Sequence, residues 1–255
     1  MSDLIKQTLF LLRNPLGYPE FSYSLQTAIP WYINKRSNKE NINSKYYWYQ
    51  VFKKLNISQP KTYALVDNKK IIKQFHQINL NNPKNIIIKP DDSGWGRGIV
   101  AFKNLSQINE LSILQEKIQN NNDYFRIISS NNKLIDVFYY FSSNRDTTEI
   151  NLNPNNNKET IKCLLDTNTL NVIHPKTNKI IKKLDIRYKL NLNKAINASY
   201  KINKFLKHPK IVCYDVIINY YDYYFLEGNI PVAVYGTKFR DYFKLINKVK
   251  PLIYN

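Results

Sequence analysis

The sequence predicts an α+β protein with antiparallel strand pairing, and three observations carry that expectation. Ile86, Ile87 and Ile88 lead into a loop with three alternating glycines, and a second strand-like run follows at residues 99–103. Two more β-rich runs flank a turn-prone segment at residues 219–222. Apolar residues recur at helical spacing within residues 44–55 and 190–206. At 255 residues the chain can bury one substantial core or two lobes around a cleft.

Residues 1–40 hold a helix candidate at 4–12, then a stretch punctuated by Pro15, Pro19 and Pro30, and read as a cap or interaction segment. Ser44 is a possible N-cap for a helix with apolar positions Tyr47, Val51, Phe52 and Leu55, which breaks at Pro60. Residues 63–66 then read as a strand.

The triple isoleucine is β-branched and follows Pro83, so it reads as a short buried strand with Lys89 at its exit and Pro90 ending the pairing. Gly94, Gly96 and Gly98 free the backbone for positive φ and close approach, as a phosphate cradle of N–H donors requires. A P-loop or a dinucleotide fingerprint would hand the chain to a helix facing the anion. Here Gly98 is followed by Ile-Val-Ala-Phe-Lys, with no Gly-Lys-Ser/Thr. The loop therefore joins two antiparallel strands like a flap; taken alone it fits an ordinary glycine-rich hairpin equally well.

Leu105, Ile108, Leu111 and Leu114 fit a helix, while residues 112–118 also tolerate a strand, and periodicity leaves both open. Residues 124–141 alternate as two strands joined near 130–133, and the Asn-rich stretch 142–158 reads as a loop. The later helix has apolar positions Ile196, Tyr200, Ile202 and Phe205 and stops at Pro209.

The last hairpin carries oxygen-bearing side chains. With its turn centred near Tyr221, Asp215 falls opposite or nearly opposite Glu227, and Asn229, two residues on, shares the face of Glu227. Facing carboxylates repel unless a cation resolves them, and hard oxygen donors beside phosphate oxygens suit Mg²⁺. A side chain turned to solvent, or a lysine neutralising the pair, would resolve the conflict without metal.

The net charge of +19 attracts nucleic acid, anionic membrane or phosphorylated ligands. Lysine, asparagine, isoleucine and tyrosine are abundant together, as low-GC codons would produce, so part of that charge is solvated surface. No run of about 18 apolar residues exists, so neither a membrane span nor an export signal is expected. Cys163 and Cys213 are too few for a disulfide framework, and no Cys/His cluster has zinc spacing around His76, His174 or His208. A reducing, cytoplasmic compartment is the expectation.

The order of lysine, strand, glycine flap and a later hairpin ending Glu-Gly-Asn resembles the ATP-grasp superfamily of ATP-dependent ligases, from about Lys45 to Pro231. The resemblance implies the ATP-grasp fold: two α+β lobes with antiparallel sheets gripping a nucleotide. Residues 1–40 would form a cap, 41–118 the small lobe with the flap, and 119–255 the large lobe with the metal hairpin. ATP and Mg²⁺ are the implied cofactors. Lys45 and Lys89 match the nucleotide-contacting lysines. Ser93, Gly94, Trp95, Gly96, Arg97 and Gly98 match the loop over the β- and γ-phosphates, with Ser93-Gly94-Trp95-Gly96 standing where paired glycines are usual. "ILQEKI" looks like the strand and hinge that hold adenine, which assigns contacts to Glu116, Lys117 and Ile118 and puts Asp123 near ribose. Asp215, Glu227 and Asn229 carry over as Mg²⁺ ligands.

"PKTYALV", "LQEKI" and "YFRIIS" most resemble the ATP-grasp proteins associated with sugar transfer, and by that likeness Arg126 joins Lys89 at the chemical step. Cys213 stands where some family members carry an arginine. The implied activity is a carboxylate-amine ligase acting through an acylphosphate, with a carboxylate-bearing small molecule and a peptide or sugar acceptor as partners, and glycan or peptide-like polymer modification as the setting. Two rivals stand beside it. One is a basic single-stranded nucleic-acid-binding protein that uses Tyr46, Tyr47, Trp48 and Tyr49 beside Lys53 and Lys54, unless a helix buries half of those rings. The other is a non-catalytic ATP-grasp partner of sugar-transfer enzymes.

Overall fold

The computed structural model describes residues 44–79, 83, 85–92, 98–118, 123–130, 132–142, 160–174, 177–206 and 211–229. The helix candidate at 4–12, the polar stretch 143–158 and the flap residues Ser93, Gly94, Trp95, Gly96 and Arg97 lie outside the described residues.

Two antiparallel sheets organise what is described. The first contains β1 (Thr62–Asp67), β2 (Lys70–Gln74), β3 (Ile86–Pro90), β4 (Val100–Ala101) and β5 (Ser112–Glu116), in the order β2-β1-β5-β3-β4. β3 runs through Lys89 to Pro90, one residue beyond the expected stop, because Pro90 still lies opposite Ser112. β4 spans only two residues of the expected 99–103 run. The ambiguous segment divides in two: residues 105–107 form a 3₁₀ turn capped by Asn104 and Gln107, and Ser112–Glu116 becomes the central strand. Burial decides for the strand, since Ala64, Val66, Ile86, Ile88 and Leu114 interlock across β1, β5 and β3.

The second sheet contains β6 (Asp123–Ser130), β7 (Lys133–Ser142), β8 (Thr160–Leu165), β9 (Asn171–Ile173), β10 (Ile180–Lys183), β11 (Ile211–Ile218) and β12 (Tyr223–Asn229), in the order β10-β9-β8-β7-β6-β11-β12. Strands β8 to β10 have no counterpart among the sequence expectations. Helix α2 (Arg187–Leu206) covers one face of this sheet and begins earlier than expected, where the Asp185 carboxylate accepts the Arg187 N–H (2.9 Å). Its buried stripe includes Tyr188, Leu192, Ala195, Ile196, Ser199, Ile202 and Leu206, whereas Phe205 is on the exposed side. Between α2 and the sheet, Asn203 donates to Ser129 Oγ (2.9 Å) and accepts from the Tyr214 hydroxyl (2.6 Å), so the buried polar groups satisfy one another.

Helix α1 (Lys45–Lys54) ends where Asn56 takes a positive φ of 51°. Its apolar face, Trp48, Val51 and Phe52, packs into the core of the second sheet beside Tyr214 and Phe225. The contact is close at Gly228, where an added Cβ would stand 2.4 Å from the Trp48 ring. A side chain at residue 228 would push the helix off the hairpin, so the glycine between Glu227 and Asn229 is a packing requirement.

Candidate functional site

Lys45 and Lys89 are brought together by a helix cap. Ser44 Oγ accepts the Tyr47 N–H (3.0 Å) and donates to Asp91 Oδ1 (2.9 Å), which also accepts the Tyr46 N–H (2.7 Å). The Lys45 N–H donates to the Asp91 carbonyl (3.2 Å). A carboxylate two residues after Lys89 thus satisfies the first turn of α1, where negative charge is favoured, and ties the exit of β3 to the residue after the cap.

Lys89 is 7% exposed, and its amine donates to Gln115 Oε1 (2.6 Å), while Gln115 Nε2 donates to Thr62 Oγ1 (3.1 Å). Burial lowers its pKa to about 8, and the nearby Lys45 pushes the same way, against the pull of Glu227 and Asp215. Lys45 is also buried and also lowered, chiefly by burial, with Glu227 foremost among the acids opposing it. Both amines therefore lie within electrostatic reach of Glu227.

On the second sheet, Asp215 pairs with Glu227. The register near the turn, Ile218 with Tyr223, is centred one half-step before Tyr221, and continued without change it would set Asp215 against Leu226. A bulge at Leu226 adds the missing residue and turns Glu227 onto the face of Asp215. Asn229 Nδ2 then donates to Asp215 Oδ2 (3.2 Å) and Glu227 Oε1 (3.3 Å), so the three side chains converge. Arg126, opposite Asp215 on β6, closes a bidentate pair through Nε (2.7 Å) and Nη2 (2.9 Å). Asp215 is 2% exposed; burial pushes its carboxyl up, but Arg126, the Tyr124 hydroxyl and Glu227 together outweigh burial and hold it below the ordinary range. Glu227 moves the other way, raised by burial and by Asp215 more than Lys45 and Lys89 lower it.

The other sequence assignments fall differently. Gly98 has φ +75° and lies against Pro90, where a Cβ would meet the ring at 2.8 Å. Glu116, Lys117 and Ile118 close the far end of β5: Glu116 Oε2 accepts the Lys61 N–H (3.3 Å), and the Lys117 N–H is taken by the Asn85 carbonyl (2.7 Å). Asp123 is not brought to the cluster. It alternates with Tyr124 and Arg126 along β6, so its carboxylate accepts from the hydroxyls of Tyr139 (2.6 Å) and Tyr188 on the α2 side.

Four residues were missed: Asp91, Gln115, Tyr124 and Tyr140. A polar residue directly after the apolar pair Ile113-Leu114 in "SILQE" was a signal for Gln115; Tyr124 and Tyr140 look like ordinary strand aromatics until the register is known.

The donor set fits a hard divalent cation in kind, with two facing carboxylates and a carboxamide. Among the described residues no three His, Cys, Asp or Glu side chains gather as a metal group. Asp215 would have to exchange Arg126 for the metal.

No protein-family model matches the sequence, and no curated protein matches it. Solved structures do. D-alanine–D-alanine ligase from Bacillus anthracis aligns over 84% of this chain and 67% of its own, at 14% identity and a TM-score of 0.54. The ATP-grasp ligase PsnB, complexed with a minimal precursor, aligns over 85% of this chain and 63% of its own, at 12% identity and a TM-score of 0.51. The chain spans about two thirds of the length of these structures. At such identities the likeness is one of fold: the chain has the ATP-grasp fold, with two antiparallel sheets as its motifs implied.

Proposed function

We propose that the protein is an ATP- and Mg²⁺-dependent ligase that joins a carboxylate to an amine through an acylphosphate. The observation that carries this reading is the opposition of Lys45 and Lys89 to Asp215, Glu227 and Asn229 across the two sheets, with Glu227 acting on both amines. Solved structures with this fold include one complexed with ATP and one with Mg and ADP.

In this reaction a carboxylate oxygen attacks the γ-phosphorus. An O–P bond forms, the bond to the β-bridging oxygen breaks, and ADP leaves. A neutral amine then attacks the acyl carbon, inorganic phosphate departs, and the amine proton is lost to solvent. Lys45 and Lys89 offset phosphate charge, Arg126 turns to the transferred group, and the residues of the flap supply N–H donors. When bound by Asp215, Glu227 and Asn229, Mg²⁺ would supply charge neutralisation at the phosphate oxygens.

The finer assignments rest on the sequence segments: kinship with sugar-transfer-associated ATP-grasp proteins, a glycan or peptide-like acceptor, and adenine contacts at Glu116, Lys117 and Ile118. A cytoplasmic setting is the reading that a chain with only two cysteines, Cys163 and Cys213, too few for a disulfide framework, supports. Burial of Trp48 and Tyr49 in α1 removes half of the aromatic platform that the nucleic-acid rival requires.

The test is a screen for Mg²⁺-dependent ADP release with amino acids, peptides and amino sugars. Glu227→Ala should lower turnover about 100-fold or more while far-UV circular dichroism is unchanged. Unchanged turnover in that variant rejects the assignment. ATP binding without ADP release across the panel leaves a non-catalytic partner as the better account.

A further inference from the structure

Tyr124 is 3% exposed, and its hydroxyl is one of two buried side-chain polar groups among the described residues that make no hydrogen bond. The other, Ser130, lies at the far end of the same strand. Tyr124 shares the cleft face of β6 with Arg126, two residues on. Its ring stands edge-on to Tyr140 (4.7 Å, 78°), and the Arg126 guanidinium lies 5.6 Å from the same Tyr140 ring. The charged neighbours of its hydroxyl are Asp215, Arg126 and Glu227.

A phenol at ordinary pH is a donor. The hydrogen bonds these acids accept come from elsewhere, Asp215 from Arg126 and Asn229 and Glu227 from Asn229, while the Tyr124 hydroxyl lies near enough to Asp215 to help hold that carboxyl down. Phenylalanine would fill the same space without burying an unpartnered hydroxyl, which is unfavourable. A neutral donor also adds a hydrogen bond without adding a further positive charge beside acids that have a cation to hold.

We infer that Tyr124 is a binding residue for the terminal phosphoryl group of the nucleotide, donating its hydrogen bond to an anionic oxygen there. This rests on the ligase reading, and it adds a residue that no motif assigned.

The experiment compares wild type with Tyr124→Phe in three measurements: thermal unfolding of the free protein, calorimetric affinity for Mg·ADP, and affinity for the Mg²⁺ complex of a non-hydrolysable ATP analogue. Tyr124→Phe should unfold at the same or a higher temperature and bind Mg·ADP unchanged. It should bind the ATP analogue about tenfold or more weaker, the size of a lost hydrogen bond to a charged group. A lower unfolding temperature with the ratio of the two affinities unchanged overturns the inference, because the hydroxyl then serves Asp215 structurally. Equal weakening for both nucleotides overturns it as well. If wild type binds neither nucleotide, the ligase reading itself fails, and that outcome is visible before the variant is examined.

Discussion

The cationic and acidic halves of the site are built on opposite principles. Asp215 is locked: Arg126 grips both of its oxygens, Asn229 adds a third donor, and the strand register sets all three. Lys89 is buried almost as deeply, yet the partner it bonds is the neutral Gln115, and its charge is held at a cost that the acids across the cleft only partly offset. The difference teaches which half awaits a ligand. A compensated ion pair is a stable structural unit that a metal must compete for, whereas a desolvated amine gains when an anion arrives.

The largest effect should come from breaking the compensated half. Asp215→Ala leaves Arg126 largely buried without its counter-charge and should cost about 3–5 kcal/mol of stability, read by urea unfolding. A loss below about 1 kcal/mol would mean that the pair is solvated and the contrast is false.

Gly228→Ala tests where the halves are joined, because the added methyl meets Trp48 on the helix that begins at Lys45. Overpacking there should cost about 1–3 kcal/mol, and Mg·ADP affinity should fall with it as the lysines shift away from the acids.

The smallest change at neutral pH belongs to Lys89→Met, expected within about 1 kcal/mol of wild type, since the lost Gln115 bond and the relieved desolvation oppose each other. Its pH dependence sharpens the comparison. In the free protein Lys89 loses its proton near pH 8, whereas the unfolded chain holds it to the ordinary value of 10.5. Between these limits the unfolded state binds more protons, so the Lys89 contribution to stability rises with pH, and its penalty is complete below about 8. Wild type should therefore gain stability relative to Lys89→Met from pH 8 to 10; parallel curves would show an unshifted amine.

Several parts of this site were legible in the chain because their causes are local. Ser44 caps α1 through its own hydroxyl, Ile86 to Ile88 enter β3 through β-branching, and residues 219–222 close a hairpin through turn chemistry. What was not legible depends on contacts between distant segments. The phase of α2 is set by the sheet it covers, which is why Phe205 is exposed while Ser199 is buried. The face of Asp123 follows from an alternation whose sense only the packed sheet decides.

By itself the sequence determined the inventory: two antiparallel hairpin systems, the lysine at the exit of a buried strand, and acids near the end of the chain, because propensity and periodicity act within a few residues. Tertiary structure alone decided that Asp91 would cap a helix 47 residues earlier, that a bulge at Leu226 would turn Glu227 toward Asp215, and that Arg126 would hold that acid. Each of those depends on side chains from separate strands meeting in a buried space, where register and desolvation set the outcome and no local pattern encodes it.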